Sequence, residues 1–521
     1  MQRKTDPSKP AGISSVHYLL IAVYPVIALL AHNIEEIKMV VAVRSLVISI
    51  LASVLIYLVL RAILKDGTKA ALLTTITLGL FFSYGQIYDL LEQVSIFGLQ
   101  LGRHRLLAPL WLIAFISFFL GIYRTKRPLK NWNSLFNLVT AVALVFPLWQ
   151  IGAFAFRSLQ ASGQTINNPS TQSLHIPPGQ AAPDVYYFIL DAYARDDIMK
   201  ESFDLDNTPF ITALEQMGFT VARCSQSNYA QTQLSLASSL NMDYLQKLDP
   251  NYSPGQTTRV GLEEWIRHST VRRAFEGLGY TIVAFETGFK GTQWEDADKY
   301  LSPSSGVFQS MQAVGGPNSF EVMLLQTSAG LILSDAATAL PKFLQADFNN
   351  PLRIHRDLIL FDLDQLSKLP KIPGPKFVFA HLVIPHPPYV FGPNGEFIDY
   401  EKEYKPGYRD QVIYLNKRLL TLLPQMISDS STPPIIILQG DHGPIGGNPY
   451  ERMKNLNAYF LPGGGAQSLP QNITPVNSFR WIFNHYFGGS YPLLENTSYY
   501  SVYSEPFDFT IIQDKRAGCS Q

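Results

Sequence analysis

Five stretches in the first third of the chain are apolar and almost free of charge: residues 16–31, 39–60, 70–84, 106–123 and 135–156. Each approaches the ~20 residues that a bilayer crossing needs, so the pattern predicts an N-terminal all-α membrane bundle of about five transmembrane helices over residues 1–157. The third stretch is short enough to be re-entrant instead. Arg44, inside the second, must snorkel to the interface or face a partner. Five successive segments with no small-residue cleavage site do not read as a removable leader.

A linker over 158–183, rich in Ser, Gln, Asn and Pro, then gives way to a different pattern. From 184 to 521 short β-rich runs alternate with helical spacing. Strands are predicted at 185–190, 220–224, 281–285, 376–384, 434–439 and 458–461, and helices at 209–218, 262–278, 353–369, 408–427 and 474–487. Alternation of this kind argues for an α/β domain with a mainly parallel central sheet covered on both faces. The run Ile435-Ile436-Ile437-Leu438, set between Pro433-Pro434 and Gly440, reads as a buried parallel strand.

Charge adds an orientation. The chain carries 41 Lys and Arg against 41 Asp and Glu, with no long run of one sign, which argues against a nucleic-acid surface. Arg3, Lys4 and Lys9 precede the first apolar stretch, Arg61, Lys65 and Lys69 follow the second, and Arg124, Lys126, Arg127 and Lys130 follow the fourth. With five crossings these sets share one side and Glu35 and Glu36 lie on the other. Arg103 and Arg105 are a partial exception. The positive-inside rule then predicts a multi-pass protein of the plasma (inner) membrane with its N-terminus cytoplasmic and everything after 156 extracytoplasmic. If the third stretch does not cross, that assignment reverses. An exported domain permits Cys224 and Cys519 to pair, but their spacing does not decide whether they meet.

Two strands, far apart in sequence, end in aspartate: 185–190 runs into Asp191, and 434–439 runs through Gly440 into Asp441-His442-Gly443. A single such carboxylate is usually a cap or turn residue. Two of them, one followed by His-Gly, point to a hard-cation or zinc site at the carboxyl edge of the sheet. Between them, the segment 227–241 is a helix start rich in small residues, where Thr232 would ordinarily cap or pack. His381 alternates with Phe379 and Val383 and fits a core position as well as a functional one. His386, between Pro385 and Pro387, falls outside regular structure and is better placed for chemistry. Lys290 and Arg195 offer anion clamps but are ordinarily just solvated, and Glu286 offers a further ligand.

The order of these pieces resembles the sulfatase-like branch of the alkaline phosphatase superfamily. The pieces are Asp191 after its strand, a hydroxyl residue before Ala237-Ser238-Ser239-Leu240, His381 through Pro385-His386-Pro387-Pro388, and Gly440-Asp441-His442-Gly443. The likeness covers Pro183 to about Phe487. With the membrane anchor in front, the layout is similar to lipoteichoic acid synthases and phosphoethanolamine transferases. The resemblance implies an alkaline-phosphatase-like fold with Thr232 as nucleophile. It implies that Asp191, Thr232, Asp441 and His442 hold one divalent ion, for which this donor set suits zinc or manganese better than calcium. It also implies that His386 and His381 bind the phosphoryl group, with His386 protonating the leaving alkoxide.

Thr232-Gln233-Leu234-Ser235-Leu236 lacks the Cys/Ser-x-Pro-x-Arg signal of formylglycine sulfatases, and Ala192 replaces their second aspartate. Both departures weigh against sulfate ester cleavage. The transferases often carry Glu where this chain has Asp191, so neither subfamily matches closely. The leading expectation is a transferase that moves a phospho-alcohol group from a membrane lipid donor to an envelope glycan, polymer or lipid. A hydrolase of the same superfamily and a non-catalytic binding or assembly module are the alternatives.

Overall fold

The computed structural model describes residues 15–34, 37–92, 94–96, 99–100, 102–162, 173–303, 319–332, 351–400, 402–516 and 518–519. The chain divides into two compact units, residues 1–156 with 315–349, and residues 157–314 with 350–521. Residues 163–172 of the expected linker lie outside the described residues.

The first unit contains α1 (His17–His32), α2 (Val43–Leu64), α3 (Gly67–Glu92), α4 (His104–Arg124) and α5 (Lys130–Ser162). Among the described residues four helical spans are long and apolar enough to cross a membrane: Met39–Leu64, Gly67–Leu91, His104–Arg124 and Lys130–Leu159. The expected count of about five is therefore corrected to four. The shortfall is at α1, not at the third stretch. Its 16 residues rise only about 24 Å at 1.5 Å per residue, against a ~30 Å hydrocarbon core. A polar cluster fixes where α1 begins. Asn137 Oδ1 on α5 accepts the N–H groups of Val16 and His17 at 3.1 and 2.9 Å, and the His17 ring bridges Thr75 Oγ1 at 2.5 Å and Asn133 Oδ1 at 3.1 Å.

Arg44 has a partner drawn from far along the chain. Its Nε donates to Glu321 Oε1 at 2.6 Å, on the helix Ser319–Gln326, which belongs to the same unit. Just beyond that helix the Ala329 N–H donates to the Phe81 carbonyl of α3 at 2.7 Å. On the side of the basic loops, Lys69 Nζ donates to the carbonyls of Tyr123 and Thr125 at 3.1 and 2.7 Å, so the α2–α3 and α4–α5 connections share one end of this unit.

The second unit is built on seven strands: β1 (Val185–Leu190), β2 (Phe219–Val221), β3 (Thr281–Phe285), β4 (Lys299–Leu301), β5 (Lys376–Leu382), β6 (Ile435–Gln439) and β7 (Asn457–Phe460). Their order across the sheet is β2-β7-β6-β1-β5-β3-β4. The five from β6 to β4 run parallel, while β7 runs against both of its neighbours. The three central strands β6, β1 and β5 are buried along their whole length, which is why their sequences read as continuous apolar runs. Tyr186, Phe188 and Leu190 join Val378, Ala380, Ile436 and Leu438 in one core. Val185, Tyr187 and Ile189 join Phe377, Phe379, Ile435 and Ile437 in the other. Around them pack α6 (Thr232–Asn241), α7 (Pro351–Leu366), α8 (Tyr404–Asp429) and α9 (Pro475–Tyr486).

The helix predicted over 262–278 is two helices, Leu262–Arg267 and Thr270–Gly277. The break falls at Ser269, whose side chain caps the second helix by accepting the Arg272 N–H.

Cys224 and Cys519 are joined by a disulfide, with Cα atoms 5.2 Å apart. Beside it, Arg195 is buried between Asp514 Oδ2 at 2.6 Å and Asp197 Oδ2 at 2.7 Å, so the candidate anion clamp is spent on holding the C-terminal segment. Burial would raise the Asp514 carboxyl, but Arg195, the Arg516 N–H and Lys454 outweigh it and hold it below the usual carboxylate range. Asp514→Asn is expected to cost about 3 kcal/mol at neutral pH, the low end for a broken buried pair because Asp197 still faces the guanidinium. A carboxyl depressed in the folded state stabilises fully above the unfolded value of about 4, and that contribution is lost as pH falls through the folded value. The gap between wild type and Asp514→Asn in chemical denaturation should therefore shrink in strong acid. A variant with unchanged stability at pH 7 would rule the clamp out.

Candidate active site

Strand register delivers the two aspartates to one place. In the parallel pair β1 and β6, Ile189 lies opposite Gln439, and Asp191 and Asp441 each follow two residues later. Asp191 is 4% exposed, Asp441 0% and His442 1%. Local backbone geometry serves this convergence. Ala192 takes a left-handed φ of 64°, a conformation that is costly for a residue with a Cβ, and its N–H donates to Asp441 Oδ1 at 2.9 Å. A Cβ on Gly440 would lie 2.3 Å from the Tyr193 carbonyl oxygen, and one on Gly443 2.1 Å from that of Glu451, so both glycines of the motif are imposed by close backbone packing. The hydroxyls of Ser227 and Ser235 hold the Asp441 carbonyl at 2.6 and 2.7 Å.

Thr232 is the first residue of α6, where the unpaired N–H groups of a helix start favour an anion. Its Oγ1 lies 3.3 Å from His442 Nε2. The other ring nitrogen of His442 faces the Gly443 carbonyl at 2.8 Å and must donate to it, which leaves the Nε2 lone pair available. Burial and the charge of Arg452 lower the His442 pKa to about 4, against the pull of Asp441 and Asp191, so the ring is neutral at physiological pH. Asp191 moves the other way: burial alone would raise it, but His386, His381 and His442 together hold it below the usual carboxylate range.

Two observations fit this set to a cation. Asp191 Oδ1 and Asp441 Oδ2 are buried and have no hydrogen-bond partner, which is costly unless a positive charge answers them. Ligand atoms of Asp191, His381 and Asp441 also lie within 4.8 Å of one another. Within that trio His381 is already engaged at both nitrogens. Its Nε2 is 3.1 Å from Asp191 Oδ2, and because a carboxylate only accepts, the proton sits there; its Nδ1 takes the Thr292 hydroxyl at 2.9 Å. His442, whose Nε2 is 3.3 Å from Asp441 Oδ2, turns toward the aspartates the lone pair that His381 lacks, with the Thr232 hydroxyl and Arg452 Nη2 as its present neighbours at 3.3 and 3.4 Å.

The structure thus brings Asp191, Thr232, His381, Asp441 and His442 together. His386 stands just past β5, its Nδ1 2.5 Å from the Pro387 carbonyl, near enough for its charge to act on Asp191. Of the remaining candidates, Lys290 is 3.5 Å from Glu263, and Glu286 accepts a hydrogen bond from the Ser302 hydroxyl. Sequence reasoning missed Thr292, His355 and Arg452. Arg452 Nη2 is 3.4 Å from His442 Nε2, its Nε donates to the Ala230 carbonyl at 2.8 Å, and its Nη1 is buried without a partner. A signal for it was present in Asn448-Pro449-Tyr450-Glu451, the signature of a capping box, which the structure forms and which starts the turn that ends at Arg452.

No family model matches the sequence, and no curated protein matches it either. Solved structures do show similarity. The C-terminal periplasmic domain of EcEptC from Escherichia coli, in complex with zinc, is 11% identical with a TM-score of 0.42, covering 66% of this chain and 96% of that one. The integral membrane lipooligosaccharide phosphoethanolamine transferase A from Neisseria meningitidis is 13% identical with a TM-score of 0.35, covering 89% of this chain and 94% of that one. An alkaline phosphatase superfamily protein from Vibrio parahaemolyticus is 14% identical with a TM-score of 0.37, covering 63% and 74%.

Proposed function

We propose that this protein is a membrane-anchored, metal-dependent phosphoryl transferase that takes a phospho-alcohol group from a lipid donor and passes it to an envelope glycan, polymer or lipid through a phospho-threonine at Thr232. The observation that carries the reading is the placement of the Thr232 hydroxyl, 3.3 Å from a neutral His442 and beside the unpartnered oxygens of Asp191 and Asp441. Asp191, Asp441, His442 and Thr232 would hold one divalent ion, for which two carboxylates, an imidazole and a hydroxyl suit zinc or manganese. Such an ion, when bound, lowers the pKa of the hydroxyl and offsets charge on the phosphoryl oxygens.

The chain's own groups do the rest. Thr232 Oγ1, its proton already given up to solvent, forms a bond to phosphorus as the bond to the donor's alcohol oxygen breaks, and His386 gives the departing oxygen its proton. The α6 N-terminus and the unpaired Arg452 Nη1 face the charge on the phosphoryl oxygens. An acceptor hydroxyl then bonds to phosphorus, Thr232 Oγ1 leaves as the alkoxide that began the cycle, and the acceptor's proton returns to His386. His381 keeps Asp191 oriented throughout.

The side of the membrane follows from two independent features. The α4–α5 loop carries Lys126, Arg127 and Lys130, so by the positive-inside rule it is cytoplasmic and α5 exits outward whatever α1 does. The Cys224–Cys519 disulfide calls for an oxidising compartment. We therefore place the second unit on the extracytoplasmic side of the inner membrane. Intact-mass spectrometry of the full chain incubated with its native membrane lipids and zinc or manganese tests the chemistry. The expected result is a phospho-alcohol adduct on Thr232 that an added acceptor alcohol discharges. Discharge by water alone would move the reading to a hydrolase, and no adduct on Thr232 under any condition would overturn it.

A further inference from the structure

His355, in the first turns of α7 (Pro351–Leu366), has no part in the chemistry above, yet it stands beside it. Its ring lies against the backbone carbonyl of Val383, between His381 and His386, and the charges of His386 and Asp191 both reach it. Its Nε2 is buried and has no hydrogen-bond partner. The proton therefore sits on Nδ1, drawn by that carbonyl, and Nε2 is left with a buried, unanswered lone pair on a ring that neighbours His386 and Asp191. A buried acceptor with nothing to accept from is costly in a folded protein and calls for a ligand.

The ligand is one that donates. A phosphoryl oxygen is itself an acceptor and gains nothing from a lone pair. A shared metal ion does not fit either: among the described residues, the His, Cys, Asp and Glu ligand atoms that converge within 4.8 Å are those of Asp191, His381 and Asp441, and His355 is outside that group. What remains is an O–H or N–H group carried a short distance from the phosphorus. We propose that His355 is a specificity residue whose Nε2 accepts a hydrogen bond from the hydroxyl or ammonium of the transferred phospho-alcohol. The inference rests on the phosphoryl group being held at Thr232 and His386. Burial and the neighbouring His386 support it by lowering the His355 pKa to about 4, so that the ring stays a neutral acceptor and does not repel an ammonium.

The test uses the full chain in detergent with three 4-nitrophenyl diesters, of phosphoethanolamine, of phosphoglycerol and of ethyl phosphate, the last lacking any donor beyond the phosphorus. Wild type should favour one of the first two over the ethyl ester by about tenfold or more in kcat/KM, and the favoured one identifies ammonium or hydroxyl. His355→Phe should erase that preference while leaving the ethyl ester unchanged. His355→Gln, which keeps an acceptor, should retain part of it. Equal losses on all three esters, or a preference that survives His355→Phe, would overturn the inference. So would the loss of one equivalent of metal from His355→Phe, which would make the residue a ligand. If wild type cleaves none of the esters, phosphoryl transfer itself fails. Calorimetric binding of free phosphoethanolamine, phosphoglycerol and ethyl phosphate then decides His355 on its own, and affinities that do not differ, or that differ equally in His355→Phe, would overturn it.

Discussion

Thr232→Ala is expected to lower turnover by about 10³-fold or more while leaving most of the bound metal in place, because it removes the attacking oxygen and leaves Asp191, Asp441 and His442 intact. Thr232→Ser keeps a hydroxyl at the start of α6 and should recover a substantial part of the rate. The measurement is steady-state cleavage of a chromogenic phosphodiester alongside elemental analysis of the same samples. The contrast between the two readouts carries the weight. A loss of activity that tracked metal content would demote Thr232 to a ligand alone, and a fall of less than about tenfold would remove it as nucleophile.

The second large effect is expected at Asp441. Its Oδ2, like Asp191 Oδ1, is buried without a hydrogen-bond partner, and its Oδ1 accepts the N–H of Ala192. Asp441→Ala should strip the metal and abolish activity, and should also leave the left-handed Ala192 turn without its anchor. His381→Gln gives the calibrating comparison. As an orienting partner of Asp191 it should weaken metal affinity by about 10- to 100-fold without eliminating binding. Titration with a competing chelator separates the two. Equal metal loss in both variants would promote His381 to a direct ligand, and full metal retention in Asp441→Ala would dismantle the site.

Much of this site could be read along the chain because strands carry their own punctuation. An uninterrupted apolar run that stops at Asp191 or at Gly440-Asp441 marks a buried strand and its carboxyl edge, and the observed β1 (Val185–Leu190) and β3 (Thr281–Phe285) coincide with the expected spans. What the chain hid was whatever depends on partners distant in sequence. Lys299–Leu301 is three residues long, too short to show a period, and is a strand only because β3 pairs with it. Glu321 lies 277 residues from the Arg44 it neutralises. His355 and Arg452 look like ordinary helix residues until α7 and the loop after β6 carry them to the site. The count of spans missed for another reason. Hydropathy registers apolar residues, whereas the length of α1 is set by polar contacts from His17 to Asn133 and Asn137.

The return of residues 315–349 to the first unit changes how the protein can be handled. The chain passes between the units three times, near 156, 314 and 349, so a cut in the linker leaves the second unit still tied to the first through the other two passages. A fragment starting at 158 to make that unit soluble would also inherit the stretch around Phe320 and Ala329, which is buried or hydrogen-bonded against helices the fragment lacks. It would expose that apolar surface to water, and aggregation of such a fragment would reflect a missing neighbour and not a misfolded active site.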